Sequence, residues 1–325
     1  MFNSLGISDV FLIKYVTSEF IYFNGIHKSR IETVFKNVIS PIIIYVHMYI
    51  GSWNKLKSSP FDPGKLFKSL HCEKLHHKYS KCILGVHKKS TNFAVLSDLG
   101  RFPLHHDILK SIICYWYRLE NQNEFKLLKD AYLCSKSLYL NSKLSWYSLV
   151  EKALEYIKIG YPLRDFSQYR FKKIVKKLLC DKYTETWYNN RNKLIDGKLC
   201  TYFKLKEHFG FENYLNKIKN FDIRRSICKL RISAHKLMIE VGRYSGITRN
   251  ERICSKCNSG LLGDEIHFLI KCEKFADERK SFCGAIEKTV KIFTKLNDEQ
   301  KFIYILCSEE PSILNITGKF ILNNI

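Results

Sequence analysis

Four residues near the end of the sequence follow the spacing C-x2-C-x9-H-x4-C: Cys254, Cys257, His267 and Cys272. Two cysteines separated by two residues can place both thiolates on one cation from a tight turn, and a later His and Cys can complete a tetrahedron. A structural Zn²⁺ ion suits this mixed ligand set. The alternative is a buried thiol pair with His267 on a helix face, and Cys283 is a possible substitute ligand. The pattern predicts a small CCHC zinc knuckle over residues 250–282.

The other cysteines are spaced irregularly and do not suggest a disulfide framework. Such frameworks are typical of short secreted proteins, whereas this chain has 325 residues and shows no basic region followed by an apolar stretch at its start. We therefore expect reduced thiols and an intracellular protein, nuclear or cytoplasmic or both. Eight cysteines are predicted to be small core hydrophobes: Cys72, Cys82, Cys114, Cys134, Cys180, Cys200, Cys228 and Cys307.

The sequence gives no sign of a membrane span or of a small-molecule substrate. The longest apolar run, residues 38–50, is shorter than the roughly 20 residues that a bilayer requires, and Pro41 and His47 interrupt it. No Gly-rich phosphate loop and no Ser/His/Asp arrangement is present. A hydrophobic content of 46% excludes an intrinsically disordered chain, so we expect a folded protein without a membrane partner.

The positive charge points to a polyanionic partner. Lys and Arg number 54 against 31 Asp and Glu, which gives a net charge of +23. Residues 164–249 hold 21 Lys or Arg and 8 Asp or Glu, an excess of 13. Such a surplus neutralises phosphates and releases their counterions, so RNA, DNA or both are the predicted partners. An acidic membrane surface, or a basic protein without such a partner, is the alternative.

Apolar residues recur mostly at helical spacing, which predicts a mainly α fold. The stripes occupy residues 149–157, 171–179, 227–241 and 282–296, whereas residues 42–49 suit a buried strand as well as a helix. Ser148 and Glu151 predict a capping box for the first stripe, with Gly160 after its end. Asn297 and Gln300 predict a cap for one more helix. Pro60, Pro63 and Gly64 mark a linker over residues 58–64, and Gly160 begins a second break.

A group of lysines occupies the polar side of the second stripe: Lys172, Lys173, Lys176 and Lys177. These side chains are candidate phosphate contacts because they lie in the most basic part of the chain. A solvated helix face explains them equally well, since lysines commonly occupy the polar side of an amphipathic helix.

Residues 230–282 contain an R…H-x-L-x-I-E-x-G-R-Y run, an E-R-x-C-x-x-C pair and a D-E-x-H-F-x-x-x-C close. The residues of these three motifs are Arg231, His235, Leu237, Ile239, Glu240, Gly242, Arg243, Tyr244, Glu251, Arg252, Cys254, Cys257, Asp264, Glu265, His267, Phe268 and Cys272. With these marks, the segment resembles the one that follows the polymerase in non-LTR retrotransposon reverse transcriptases of the Jockey-like kind.

A second segment, KCILGVHKKSTNFAVLSDLGRFPL at residues 81–104, is similar to a stretch of the same elements. That stretch reads cysteine, I-L-G-V and then E-L-G-R-x-P-L, and Asp98 stands where it usually has Glu. Looser likeness extends toward the N-terminus. The resemblance therefore spans most of the chain but is tight in two places.

The resemblance implies a zinc-containing, nucleic-acid-binding C-terminal part of such a protein. Six arginines would contact phosphates beside the knuckle, in line with the bidentate anion binding of the guanidinium: Arg224, Arg225, Arg231, Arg243, Arg249 and Arg252. Tyr244 would stack on an unpaired base, and its alternative is packing against the knuckle. His235 is expected on a helix face, outside the metal site.

The polymerase motif itself is missing. A reverse transcriptase palm presents an aromatic-x-D-D turn to two metal ions, and the sequence contains no adjacent aspartates. We therefore expect no catalytic residue and no enzyme activity, and a truncated copy or an incomplete gene model of the element. The alternatives are a host-retained helical module for protein interaction and a non-functional relic.

Five segments follow from the breaks, the motifs and the resemblance. They are residues 1–57, a remnant of the polymerase-to-connector region; 65–160, a helical connector; 161–249, a basic helical region; 250–282, the zinc knuckle; and 283–325, C-terminal helices.

Overall fold

The computed structural model describes residues 61–68, 70–121, 126–159, 166–194 and 197–325. These residues form helices and two isolated β-bridges, with no strand among them, so the predicted mainly α fold is confirmed. In chain order the α-helices are α1 Pro63–Phe67, α2 His71–Leu84, α3 Asn92–Asp98, α4 Leu104–Asn121, α5 Lys126–Leu140, α6 Trp146–Tyr156, α7 Gln168–Leu194, α8 Cys200–Leu205, α9 Tyr214–Lys217, α10 Phe221–Arg231, α11 Met238–Tyr244, α12 Ala276–Thr289, α13 Asp298–Leu306 and α14 Pro311–Asn324.

The long basic helix α7 packs its apolar side on α4. Phe171, Val175 and Leu179 are buried at helical spacing, and the Phe171 ring stacks on Tyr117 of α4 with centroids 3.8 Å apart. The predicted stripe at residues 171–179 is confirmed. The lysines on the opposite side of α7 are exposed.

Helix ends agree with the sequence in one case and differ in another. Asn297 caps α13 in a capping box with Gln300, as predicted. The predicted box of Ser148 with Glu151 is wrong, because Ser145 is the N-cap of α6 and Ser148 takes the third helical position. The helix ends at Tyr156 with Ile157 as its C-cap, and Lys158 then adopts a left-handed φ of 53°. The predicted end at Gly160 lies outside the described residues.

The apolar stripe predicted at residues 227–241 is not one helix. Helix α10 ends at Arg231 and α11 begins at Met238. Between them Ser233 adopts a φ of 53°, which lies outside the right-handed helical region and interrupts the helix. The stripe at residues 282–296 is divided in the same way, because α12 ends at Thr289 and a 3-10 turn, Lys291–Lys295, follows it.

The predicted linker at residues 58–64 ends in a helix rather than in a loop. The Asp62 carboxylate accepts a hydrogen bond from the Lys65 amide at 3.1 Å and caps α1, with Pro63 in its first turn. The segment 1–57 and the strand or helix at residues 42–49 lie outside the described residues. Of the helices that the structure describes, none combines the length and the apolar character that crossing a bilayer requires.

The core of the C-terminal half brings distant parts of the chain together. Helix α10 packs along α14. The two helices come so close at Gly318 that a Cβ atom there would lie 2.9 Å from the Ile223 carbonyl oxygen. One buried cluster joins Leu84, Trp187 and Phe268 to Phe302. The predicted segments 65–160, 161–249, 250–282 and 283–325 therefore share a core, and all belong to one compact unit, Lys55–Ile325.

Candidate metal centre

The four predicted ligands converge. One ligand atom from each of Cys254, Cys257, His267 and Cys272 lies within 4.8 Å of all the others. Cys254 Sγ is 3.8 Å from Cys272 Sγ, and Cys257 Sγ is 3.3 Å from His267 Nε2. The cluster could hold a metal ion, so the coarser part of the prediction, a metal-binding Cys/His cluster, is confirmed. Cys283, the possible substitute, is not part of the cluster.

A short hairpin presents the first two cysteines. Cys254 donates its amide to the Leu261 carbonyl at 2.8 Å, next to an antiparallel bridge between Ile253 and Leu262. The Lys256 amide points back at Cys254 Sγ at 3.4 Å. Gly260 closes the hairpin at a φ of 67°, a left-handed conformation that glycine adopts without a steric penalty. The turn thus aims both thiols at one point, as the C-x-x-C spacing predicted.

The second pair of ligands depends on a π-helical turn, His267–Lys271. The Cys272 amide donates to the His267 carbonyl at 2.7 Å, a bond that spans five residues. Five residues of a regular α-helix rotate by roughly 500°, which would turn the two side chains about 140° apart. The wider turn brings His267 and Cys272 to the same side. Such π-turns are rare and are frequently found at functional sites.

Hydrogen bonds around the thiols tune them differently. The Ser259 hydroxyl lies 3.1 Å from Cys257 Sγ, and hydrogen bonds from the side chain and backbone of Ser259 lower the pKa of Cys257 to about 6. Burial raises the pKa of Cys272 to about 12. Ser259 was not among the predicted site residues, and its place in a turn sequence gave no signal of this role. The thiolate is the form that binds metals, and the lowered pKa of Cys257 favours that form.

Buried Glu265, two residues before the ligand His267, connects this part of the site to other segments of the chain. Its carboxylate accepts hydrogen bonds from Thr201 Oγ1 at 3.0 Å, Ser233 Oγ at 3.1 Å and His235 Nε2 at 2.9 Å. Burial by itself would raise the pKa of Glu265, but the hydrogen bond and charge of His235 lower it below its usual value. His235 therefore binds Glu265 and not the ligand cluster, in agreement with its exclusion from the metal site.

Close backbone approach positions the hairpin against α11. The Ile239 amide donates to the Gly263 carbonyl at 3.0 Å. A Cβ on Gly263 would lie 2.8 Å from Met238 Cβ and 2.9 Å from Cys254 Cα, closer than side-chain carbons approach. A glycine is therefore required here, directly beside the first ligand.

Arg231 lies in the core and not at the surface. Its side chain is 0% exposed and donates to the Leu306 carbonyl at 2.8 Å and to Glu212. Its Nε lies 3.9 Å from the Asp98 carboxylate, which is also fully buried. The prediction that Arg231 contacts phosphate is wrong, because its charge is already neutralised inside the protein. The sequence could not separate it from Arg224 and Arg225 on the same helix.

The other predicted arginines are half-buried, and each holds a group of the protein. Arg224 donates to the Ile218 carbonyl, Arg225 to the Gly85 carbonyl and Arg249 to Cys200 Sγ. Arg252 donates to the Ile239 and Ile247 carbonyls at 3.0 and 2.9 Å, and Arg243 pairs with Glu240 at 3.0 Å. Each of these arginines therefore already holds a contact within the protein.

The predicted contacts that are exposed are the lysines of α7 and Tyr244. Lys172, Lys173, Lys176 and Lys177 all project from the face of α7 opposite its core side. Tyr244 is 63% exposed, so most of its side chain is open to solvent. The guanidinium of Arg243 lies 4.3 Å from the centre of its ring.

The two segments that carry the retrotransposon resemblance meet at a buried carboxylate. Asp98 accepts hydrogen bonds from Tyr202 at 2.9 Å and Tyr214 at 2.8 Å, and Arg231 lies beside it. Burial raises the pKa of Asp98, and the charge of Arg231 opposes that rise. Neither Asp98 nor Glu212, the second carboxylate beside Arg231, was singled out from the sequence as an ion-pair residue.

No family model matches the chain, and no curated protein or solved structure matches it either.

Proposed function

We propose that the chain is a zinc-containing, nucleic-acid-binding protein of the kind that follows the polymerase in non-LTR retrotransposon reverse transcriptases. The observation that carries the proposal is the convergence of Cys254, Cys257, His267 and Cys272 within a basic protein. The family assignment rests on the sequence marks at residues 81–104 and 230–282.

Zinc is the proposed metal because the ligand set and its spacing suit it. Tetrahedral sulfur ligands about 2.3 Å from an ion lie roughly 3.8 Å apart. Cys254 Sγ and Cys272 Sγ are separated by 3.8 Å. Three thiolates and one imidazole fill all four positions of the tetrahedron, which leaves no place for a reacting water. The proposed role of the zinc is therefore structural.

Metal content of the purified protein tests this assignment. We expect one zinc per chain in the wild type and none in Cys257→Ser, together with faster amide exchange across residues 250–282, because zinc-binding energy is folding energy in such modules. Cys283→Ser is the matched control and should retain the metal, since Cys283 lies outside the cluster. Equal zinc in both variants, or a zinc-free wild type, would refute the proposal.

Nucleic-acid binding is supported by the net charge of +23 and by exposed cationic and aromatic side chains. The four lysines of α7 lie in solvent, and the exposed ring of Tyr244 offers a stacking surface for an unpaired base. Fluorescence anisotropy with a labelled single-stranded RNA tests the point. The logarithm of the affinity should fall with the logarithm of salt by about 0.7 per phosphate contact. An affinity that salt does not change would refute the proposal.

We propose further that the chain does not polymerise by itself. The acidic pair that follows an aromatic residue, Asp277 and Glu278, lies exposed in the first turn of α12 and not on a strand turn. Extension of a primer on an RNA template by the purified chain would refute this part of the proposal.

One surface favours a second candidate function, a module for protein interaction. Leu133 and Leu140 are seven residues apart on one face of α5, and both are exposed, Leu140 at 73%. Exposed apolar groups in one region commonly mark an interaction site. This candidate predicts that the affinity for RNA does not change with salt concentration. The anisotropy titration therefore separates it from the first.

A further inference from the structure

A cavity of about 640 Å³ lies between the two segments that carry the resemblance. Gly85 to Ser90, after the end of α2, form one side, and residues of α10 and α11 form another. The end of α14 contributes Ile321 and Ile325. The volume falls within the range of roughly 300–1,000 Å³ that is typical of small-ligand sites.

The lining is strongly cationic. Lys89, Lys198, Arg225, Lys229 and Lys236 face Asp222 and Glu240. Glu240 is already engaged, since it lies 3.6 Å from Lys198 and 3.0 Å from Arg243.

Within the part of the chain that the structure describes, neither Lys229 nor Lys236 has an ion-pair partner within 4 Å. Burial, and then the charges of Arg225 and Lys236, lower the pKa of Lys229. Positive groups that repel one another in a cavity create a site for an anion, because a bound anion removes the repulsion.

The cavity also has surfaces that suit a planar apolar group. Leu230 is buried in its wall, and Ala234 and Ile321 lie beside it. Tyr244 belongs to the same lining, and its ring is largely open to solvent. A nucleotide joins an anionic phosphate to a planar base, which matches this combination of cations and an exposed aromatic ring.

We infer that this cavity binds one nucleotide of a single-stranded nucleic acid, with its phosphate on Lys229, Lys236 and Lys89 and its base against Tyr244. The inference rests on the proposed nucleic-acid-binding function and assigns that function to a particular site. It differs from the earlier expectation, because the phosphate contacts are lysines of the cavity and not the arginines beside the knuckle.

The test reverses the charges of two lysines that line the cavity, Lys89 and Lys236. Lys89 and Lys236 are both exposed and lie far apart in the sequence, so Lys89→Glu/Lys236→Glu should fold normally. Lys288→Glu/Lys291→Glu makes the same change in net charge at exposed residues that do not line the cavity. Binding of a labelled single-stranded RNA of about 12 nucleotides is measured by anisotropy over a range of salt concentrations.

We expect the cavity pair to weaken binding at least tenfold and to reduce the salt slope by roughly 0.7 per lost phosphate contact. The control pair should bind within about twofold of the wild type. Tyr244→Ala should weaken binding about fivefold or more without changing the salt slope, since stacking involves no counterion release.

Three results would overturn the inference. If the cavity pair binds like the wild type, the proposed function stands and the site is elsewhere. If both pairs weaken binding equally, net charge and not this cavity governs affinity. If the wild type shows no salt-dependent binding, the proposed function fails and the inference fails with it. Competition by a free nucleoside monophosphate at millimolar concentration would support the site and identify the single nucleotide as its unit.

Discussion

Replacement of Arg231 by methionine separates a structural role from a binding role. The guanidinium lies fully buried among Asp98, Glu212 and the Leu306 carbonyl. Methionine fills much of the same volume but leaves the Asp98 carboxylate without its cation. We therefore expect Arg231→Met to destabilise the fold while leaving nucleic-acid affinity per folded molecule unchanged.

The structure sets the size of the effect. Breaking a buried ion pair by removal of one partner costs about 3–5 kcal/mol, because the remaining charge is buried without compensation. The compact unit spans Lys55–Ile325. With an unfolding entropy of about 2.1 cal/mol/K per residue, the loss corresponds to a fall in Tm of roughly 5–9 °C. Exposed Arg170→Met is the control and should stay within about 0.5 kcal/mol of the wild type.

The deficit should also depend on pH, since burial already raises the pKa of Asp98. Without Arg231 that pKa rises further, and a carboxyl with a raised folded pKa stabilises the protein below its unfolded pKa of about 3.9 and loses that stability as pH rises. The loss in Arg231→Met should thus be smaller at pH 5 than at pH 8.

Urea denaturation followed by circular dichroism at both pH values measures the Arg231→Met deficit. A loss below 1 kcal/mol combined with a tenfold weaker RNA affinity would refute this reasoning and restore Arg231 as a phosphate contact.

Two further predictions follow from close packing and from buried histidine. Gly263→Ala should destabilise the protein by about 1–3 kcal/mol, because the new methyl group collides with Cys254 Cα. Gly284→Ala on α12 places its methyl group in open space and should stabilise the protein by about 0.5–1 kcal/mol. Equal Tm values for the two variants would contradict this prediction. Burial lowers the pKa of His106 to about 3, and its ring nitrogens have no hydrogen-bond partner among the described residues. Its stabilising effect is present above pH 6.5 and is lost as pH falls toward 3, by up to about 1.4 kcal/mol per pH unit, so urea midpoints of His106→Phe should fall less steeply with acid than those of the wild type.

The sequence predicted helices well where one periodic stripe and one cap determine them. The stripe that ends at Leu179 and the Asn297 cap are examples, because both depend on residues within a few positions of one another. It failed at Ser233, where the apolar period continues across a break between two helices. That turn is held by the hydrogen bond from Ser233 to Glu265, a residue 32 positions away, and no local pattern contains such a contact.

The metal cluster was predictable for the same reason that α13 was. Its ligands lie within 19 consecutive residues, Cys254 to Cys272, and short spacing restricts how they can meet. The π-turn and the Ser259 contact were not predictable, since both depend on the conformation that the turn adopts. The cavity was not predictable either, because Lys89 and Lys236 lie far apart in the sequence and only the fold brings both to its lining.

Several residues that carry the resemblance therefore make contacts inside the protein, although their charged or polar side chains suggested contacts with a partner. Arg231 and Asp98 meet in the core, His235 holds Glu265, and Arg252 binds the α11 backbone while the missing side chain of Gly242 leaves room for its stem. Each of these contacts joins the metal hairpin or α10 to the rest of the fold. Residues of this pattern hold the fold together. Substitution of one of them is therefore expected to lower the stability of the protein more than its affinity for a partner. The proposed nucleic-acid contacts are therefore assigned to Lys89, Lys229 and Lys236, which the fold brings to one cavity. Among the described residues, Lys229 and Lys236 have no ion-pair partner within 4 Å.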